Sequence, residues 1–241
     1  MPTSTKQGGT WKTVDGIHVK DSGTWKEVQN AFIKDGGVWK ETHAVTPPSA
    51  LPAGWTESAI STAVLHPSGS EENAGTWTWR GAGEDIWNKD DQIVFIYNTL
   101  SDGQQIDAYI QTLILEGGTT GDLEQYSGIY LMARIGLLPG DKMLAIGTNP
   151  NANRIQQKKR WENDFVQEAN TSPGTYVGVY FRIVRSGGVI TTSYSLDGIT
   201  YTDLGIAPTI GTADWFAGIA ISSHDDATPD YIISTGTMSI T

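Results

Sequence analysis

Short runs in which apolar and polar residues alternate fill the chain from residue 75 onward. In residues 176–184, Val177, Val179, Phe181 and Ile183 occupy every second position, which is the period of a β-strand with one buried face. Similar strand-like runs occur at residues 76–80, 91–97, 106–115, 128–134, 142–147, 189–196, 216–222 and 231–240. Because turn residues separate them and no long helical period intervenes, the pattern predicts an antiparallel β-sandwich.

One connection in this series carries a strong turn signal. Asp197-Gly198 lies between residues 189–196 and 199–202, and Asp-Gly favours a tight two-residue hairpin turn. Such a turn would place Tyr194 opposite Tyr201 as a cross-strand aromatic pair.

Residues 154–161 form a strand-like run that is polar at almost every position, with four basic side chains. A core strand would show an apolar face, so we expect at least one face to meet solvent. Two interpretations are open. The run is either the floor of a ligand groove, with Trp161 as a platform, or an edge strand whose charges prevent aggregation.

A ligand groove of this kind needs an exposed aromatic platform and planar polar groups, although each Trp is more often a packing residue. Trp77 and Trp79 alternate within one strand and are predicted to lie in the core. The candidate ligand-binding residues are Trp87, Arg134, Gln157, Lys159, Trp161 and Trp215.

The first 46 residues contain one pattern written three times with a period of 14 residues, ending in Trp11-Lys12, Trp25-Lys26 and Trp39-Lys40. Frequent Gly and the absence of a helical period predict a strand, a turn and a second strand in each repeat. A segment this short does not easily build its own core. We therefore assign an assembly or anchoring role to these Trp and Lys residues; the alternative is a leader whose Trp residues are partly exposed.

A Pro-rich stretch at residues 47–52 is predicted to be a linker, which leaves residues 53–241 as the sandwich domain. The chain has 241 residues, a formal net charge of −11 and no Cys. Because the acidic charge lies after the leader, we expect no nucleic-acid binding. No run is apolar and long enough for membrane insertion, and the N-terminus has no signal peptide.

Two resemblances extend this picture. The tandem Gly-x-Trp-Lys pattern resembles the N-terminal repeats of bacteriophage tail-associated structural proteins, which precede a variable C-terminal domain. The later segments resemble, in their order, the concanavalin A-like (laminin-G-like) jelly-roll family, which includes carbohydrate-binding domains appended to glycosidases. The residues that carry this second resemblance are 83–87, 91–97, 128–134, 181–188, 194–202 and 217–225. It implies two packed antiparallel sheets and a glycan-binding or adhesive role.

The sequence contains no recognisable catalytic motif. Glucan-cleaving enzymes of that family carry alternating carboxylates on one strand, which suits a pair of catalytic acids, and this chain has no such run. His224 stands beside Asp225-Asp226, where a structural hydrogen bond is the expected role. Glu84, Asp85, Asp225 and Asp226 offer oxygens for a calcium ion, or else they are solvated acidic loops. No other cofactor is predicted.

The sequence therefore predicts a non-enzymatic phage virion protein of tail or fibre type, made in the host cytoplasm. Its leader would anchor it to other virion proteins, with a homotrimer favoured, and its jelly-roll sandwich would be displayed to host-surface glycan. The alternatives are a free carbohydrate-binding module or lectin and, less favoured, a divergent glycoside hydrolase.

Overall fold

The computed structural model describes residues 4–7, 10–13, 18–21, 24–27, 30–35, 38–44, 51–60, 69–87, 90–116, 118–150, 153–161, 166–205, 208, 213–224 and 231–241. The chain divides into two compact units, Met1–Pro48 and Ser49–Thr241. Among the described residues, no helix has both the length and the apolar character needed to cross a bilayer.

The described residues of the first unit form three antiparallel hairpins, one for each sequence repeat. Their strands are β1 Ser4–Gln7 with β2 Thr10–Thr13, β3 His18–Asp21 with β4 Thr24–Glu27, and β5 Asn30–Asp35 with β6 Val38–Ala44. The predicted strand–turn–strand repeat is thereby confirmed. In all three hairpins the Trp pairs with a Lys of the opposite strand: Trp11 with Lys6, Trp25 with Lys20 and Trp39 with Lys34.

The described residues of the second unit form strands and one short 3-10 turn, Thr120–Asp122. In chain order the strands are β7 Thr56–Ile60, β8 Glu71–Asn73, β9 Thr76–Gly81, β10 Ile86–Trp87, β11 Asp90–Asp91, β12 Ile93–Leu100, β13 Gln105–Leu115, β14 Gly128–Arg134, β15 Met143–Asn149, β16 Arg154–Arg160, β17 Val166–Thr171, β18 Val179–Ser186, β19 Val189–Ser195, β20 Thr202–Asp203, β21 Trp215–Ser222 and β22 Ile232–Ile240.

Two seven-stranded antiparallel sheets form the sandwich. The first sheet has the order β17-β16-β15-β14-β21-β12-β7, and the second has the order β20-β19-β18-β13-β22-β9-β8. Successive strands repeatedly change sheet, as between β12, β13 and β14, which is the connection pattern of a jelly roll. The predicted all-β jelly-roll sandwich preceded by hairpins is confirmed.

The main core lies between the two sheets because the long strands of both sheets turn alternate apolar positions inward. Trp79, Leu131, Phe181 and Ile219 are fully buried there, and Trp77 is 3% exposed. The prediction that Trp77 and Trp79 are core residues is confirmed. The two indoles stack with ring centroids 6.2 Å apart.

The first sheet is also buried on its other face, which we call the outer face. A second apolar cluster on that face includes Phe95, Tyr130 and Met132. Residues 82–87 and 90–92, here called the cover segment, lie over this cluster and insert Ile86 into it. Gly83, the second residue of the cover segment, has φ +139°, and a Cβ there would lie 2.1 Å from the carbonyl oxygen of Gln92. Only glycine fits this entry point.

The turn at Asp197-Gly198 differs from its prediction. Tyr194 pairs with Thr202 rather than with Tyr201, because residues 196–201 form a longer connection. The Asp197 carboxylate accepts hydrogen bonds from the amides of Ile199 and Thr200, each at 2.8 Å. This local side-chain bonding replaces the tight hairpin that Asp-Gly usually forms.

Candidate functional site

Strand β16 supplies polar side chains to both sides of the first sheet. Ile155 packs in the main core, and Gln157 donates a 2.6 Å hydrogen bond across that core to Thr192 of β19. The alternation of a strand then sends Arg154, Gln156, Lys158 and Arg160 to the outer face. The second sheet covers one side of the strand and the cover segment the other.

The expectation that one face of this strand meets solvent is therefore wrong for most of its length. Gln157, Lys158 and Arg160 are 0%, 5% and 2% exposed. Such polar groups are stable in a buried position only when they are paired. This pairing cannot be recognised from the neighbouring residues in the sequence. The partners come from strands that lie far away along the chain.

At the closed end of the outer face, Asp91 of the cover segment is shared between two arginines. Its carboxylate accepts from Arg160 Nη1 at 2.8 Å and from Arg160 Nη2 at 2.5 Å, and Arg134 Nη1 lies 3.2 Å away. Burial lowers the pKa of Arg134, while Asp91 and Asp141 act in the opposite direction. Arg134 was a candidate ligand-binding residue, but it is 0% exposed. It instead holds the cover segment in place through its ion pair with Asp91.

At the open end of the same face lies a cleft of about 250 Å³. Strands β15, β16 and β17 form its floor and one wall, and the cover segment and the end of β21 contribute the other side. Its lining residues are Asp85, Tyr126, Asn149, Arg154, Gln156, Lys158, Glu168 and His224.

The cleft floor is a buried hydrogen-bond network. Tyr130 donates from its hydroxyl to Gln156 Oε1 at 2.9 Å, and Asn149 Nδ2 donates to the same oxygen at 3.3 Å. Tyr130 pairs with Gly147 across the sheet, and a Cβ at Gly147 would lie 2.4 Å from the Tyr130 ring. The glycine therefore lets the phenol cross β15 to reach Gln156. Burial raises the pKa of Tyr130, with Lys158 opposing in part.

Lys158 is the buried cation of the cleft. Its Nζ lies 3.5 Å from Glu168 Oε1 of β17 and 3.8 Å from Asp85 Oδ1 of the cover segment. Burial by itself lowers the pKa of Lys158, but Tyr130, Asp85 and Glu168 outweigh it, so the pKa is raised. The ammonium therefore remains charged at neutral pH and links both walls of the cleft.

Two rings stand at the mouth of the cleft. The rings of Tyr126 and His224 have centroids 5.0 Å apart, and Tyr126 is 44% exposed. His224 adopts a left-handed backbone with φ 58°, its amide donates to the Gly83 carbonyl at 2.9 Å, and its Nε2 lies 4.0 Å from Asp85 Oδ2. The contacts with Gly83 and Asp85 of the cover segment therefore position the His224 ring.

The remaining candidates from the sequence lie elsewhere. Trp215 is 2% exposed and stacks on the half-buried Trp161 at 5.7 Å, so it presents no open platform. Lys142 and Lys159 approach the Trp161 ring at 5.1 and 5.9 Å. The side chains of Trp87, Asp225 and Asp226 lie outside the described residues, as do those of the anchoring residues Trp11, Trp25, Trp39, Lys12, Lys26 and Lys40.

Gln157 and Lys159, the candidates from the sequence, lie on the opposite face of β16 from the cleft. Gln156 and Lys158 line the cleft. A change of one position moves every side chain to the opposite face. Ile155 carried the missing signal, because this apolar residue marks the odd positions as core-facing. Asn149, Tyr126 and Glu168 carry no comparable signal, and the sequence indicates only a structural role for His224.

In the described part of the chain, no three His, Cys, Asp or Glu residues lie close enough together to bind a metal ion. These residues therefore provide no set of ligands for the predicted calcium ion. Glu84 accepts a 2.8 Å hydrogen bond from Gln92, and Asp85 faces Lys158 and His224. Calcium binding stays a prediction.

No protein-family model matches this chain, and no curated protein matches it. Solved structures do resemble it. A functionally unknown protein from Saccharomyces cerevisiae has 13% identity, a TM-score of 0.57 and coverage of 78% of this chain and 96% of its own. The GH43 BlXynB protein from Bacillus licheniformis has 10% identity, a TM-score of 0.52 and coverage of 80%. The exoplasmic/lumenal domain of VIP36, in a Ca2+/Man3GlcNAc-bound form, has 12% identity and coverage of 77% and 83%, but a TM-score of only 0.41.

These similarities concern the fold. The matched part of the BlXynB protein is 38% of that chain, so the similarity is to a portion of it. The VIP36 score is too low to support any inference about this chain. The two higher scores agree with the sandwich architecture, and the function has to be argued from the cleft.

Proposed function

We propose that the sandwich binds a short, neutral glycan in the cleft without catalysis, and that the leader hairpins anchor the chain in a bacteriophage virion. One observation carries the glycan-binding part: aromatic rings flank the mouth of a cleft whose floor is made of buried amides and a buried ammonium. Tyr126 and His224 supply the rings, and Asn149, Gln156 and Lys158 supply the floor.

This combination suits a sugar for chemical reasons. A pyranose presents hydroxyls that both donate and accept hydrogen bonds, and a C–H face that packs on an aromatic ring. Asp85 and Glu168 accept, while Arg154 and Lys158 donate. Because these two carboxylates and two cations balance, the cleft favours a neutral ligand over a phosphate or a carboxylate.

The test is a glycan array probed with the full chain, followed by calorimetric titration of the sugars that bind. Tyr126→Ala should weaken binding by about fivefold, since a ring contact contributes about 1 kcal/mol. Ile199→Ala is the matched control, because Ile199 is 84% exposed and does not line the cleft. Absence of binding at millimolar sugar, or equal affinities of wild type and Tyr126→Ala, would contradict the proposal.

A glycoside hydrolase is the second candidate, because Asp85 and Glu168 both line the cleft. A catalytic pair needs the glycosidic oxygen or a water between its carboxyl groups. Lys158 Nζ lies within 4 Å of both carboxylates, which supports binding rather than hydrolysis. Chromogenic glycosides should show no turnover; turnover that disappears in Glu168→Gln would replace the binding proposal with an enzymatic one.

The leader supports the virion part of the proposal. A two-stranded hairpin is only marginally stable alone, and the same Trp–Lys register recurs in all three hairpins. We expect these hairpins to pack on other virion proteins or on copies of the chain. Mass spectrometry of purified parent particles tests this directly, and absence of the chain from those particles would refute the proposal.

A further inference from the structure

Asn149 is the one cleft-lining residue with a buried polar atom that lacks a partner among the described residues. It ends β15 on the outer face and is 2% exposed. Its Nδ2 donates to Gln156 Oε1 at 3.3 Å, but no donor in the described residues reaches its Oδ1. A buried carbonyl oxygen without a donor is destabilising, so such atoms are uncommon in folded proteins.

The orientation of this amide follows from its neighbours. Gln156 Oε1 already accepts from the Tyr130 hydroxyl. If the Asn149 amide alone were turned round, its oxygen would face the Gln156 oxygen and the bond between the two residues would be lost. In this arrangement its NH2 group points to Gln156, and its oxygen has no donor among the described residues.

We infer that Asn149 is the specificity-determining residue of the cleft, and that its Oδ1 accepts a hydrogen bond from one hydroxyl of the bound sugar. The inference rests on the proposed glycan binding and narrows the ligand class. Arg154 is directly opposite Asn149 in the sheet register, so an ammonium donor would meet a nearby guanidinium. A neutral hydroxyl meets no such repulsion.

The expected ligand therefore has a free hydroxyl at the position that reaches Asn149. Sugars that are deoxygenated, fluorinated or methylated at that hydroxyl leave the amide oxygen without its donor. Fluorine is the informative replacement because it is small and accepts weakly but has no proton to donate. Loss of one such hydrogen bond in a buried site weakens binding by about tenfold.

The experiment uses the full chain with methyl glucoside, methyl mannoside and methyl galactoside, together with their monodeoxy and monodeoxyfluoro analogues, in calorimetric titration. We expect one ring position at which both replacements weaken binding to the wild type by about tenfold. Asn149→Leu should weaken binding of the parent sugar by a similar factor. In that variant, the deoxy or fluoro replacement at the same ring position should not weaken binding further. Ile199→Ala should behave as the wild type.

The outcomes separate this inference from the proposed function. If a parent sugar binds equally well to the wild type and to folded Asn149→Leu, or if every fluorinated analogue binds like its parent, Asn149 is not the determinant and glycan binding still stands. If no parent sugar binds at all, both fail. Should Asn149→Leu not fold, the analogue series on the wild type decides alone, because a ligand hydroxyl that donates in the cleft must show a donor-dependent position.

Discussion

The attachment of the cover segment depends on one buried carboxylate, and replacing Asp91 with Asn tests it. Asp91 is 0% exposed and is shared by Arg134 and Arg160, which are 0% and 2% exposed. The variant keeps the size of the side chain but removes the negative charge between two buried guanidinium groups. Nothing in the described part of the chain offers a second buried carboxylate on this face.

The magnitude follows from the burial of all three groups. Breaking a buried ion pair by removing one partner costs about 3–5 kcal/mol, because a charge is left without its partner. Arg134 keeps hydrogen bonds to the carbonyls of Gly136 and Leu138, which offset part of the loss. We therefore expect the free energy of unfolding to fall by about 4 kcal/mol and the melting temperature by about 8–16 °C.

Guanidinium unfolding followed by circular dichroism measures this loss, with Asp107→Asn as the matched control. Asp107 pairs with Arg182 at 2.7 Å, but both side chains are about 30% exposed, so that loss should be at most about 1 kcal/mol. The combination Asp91→Leu, Arg134→Met and Arg160→Leu should recover most of the stability. If Asp91→Asn costs no more than Asp107→Asn, the buried triad does not hold the cover segment.

Two further predictions concern the turn after β19 and the leader. The amides of Thr200 and Ile199 and the hydroxyl of Ser195 hold the pKa of Asp197 at about 2, against an ordinary 3.8. The stabilisation from a lowered pKa is complete above about pH 4 and is lost as the pH falls towards 2. The stability deficit of Asp197→Asn should therefore shrink across that window in pH-dependent unfolding, and a constant deficit would contradict this. Removal of residues 1–46 should leave a monomeric sandwich while the full chain sediments as a trimer; a truncated chain with the full-length oligomeric state would refute the assignment of assembly to the leader.

The local periodicities were sufficient to predict the architecture. A period of two residues specifies which side chains of a strand share a face, and a repeat of 14 residues with Gly-containing turns specifies three equivalent hairpins. Both patterns are written in neighbouring residues, so no knowledge of distant contacts is needed to interpret them. The sandwich, the hairpins and the burial of Trp77 and Trp79 follow from them.

The cleft required the tertiary structure because its residues come from six separate parts of the chain. Asp85, Tyr126, Asn149, Lys158 and His224 become neighbours only when the cover segment and the end of β21 meet β15 and β16. In β16, Ile155 is the one apolar residue, so the strand itself offers a single local signal for choosing between its two faces. The partner elements decide which face each side chain occupies. On one side, Thr192 accepts a hydrogen bond from Gln157. On the other side, Asp85 pairs with Lys158, and Asp91 pairs with Arg160.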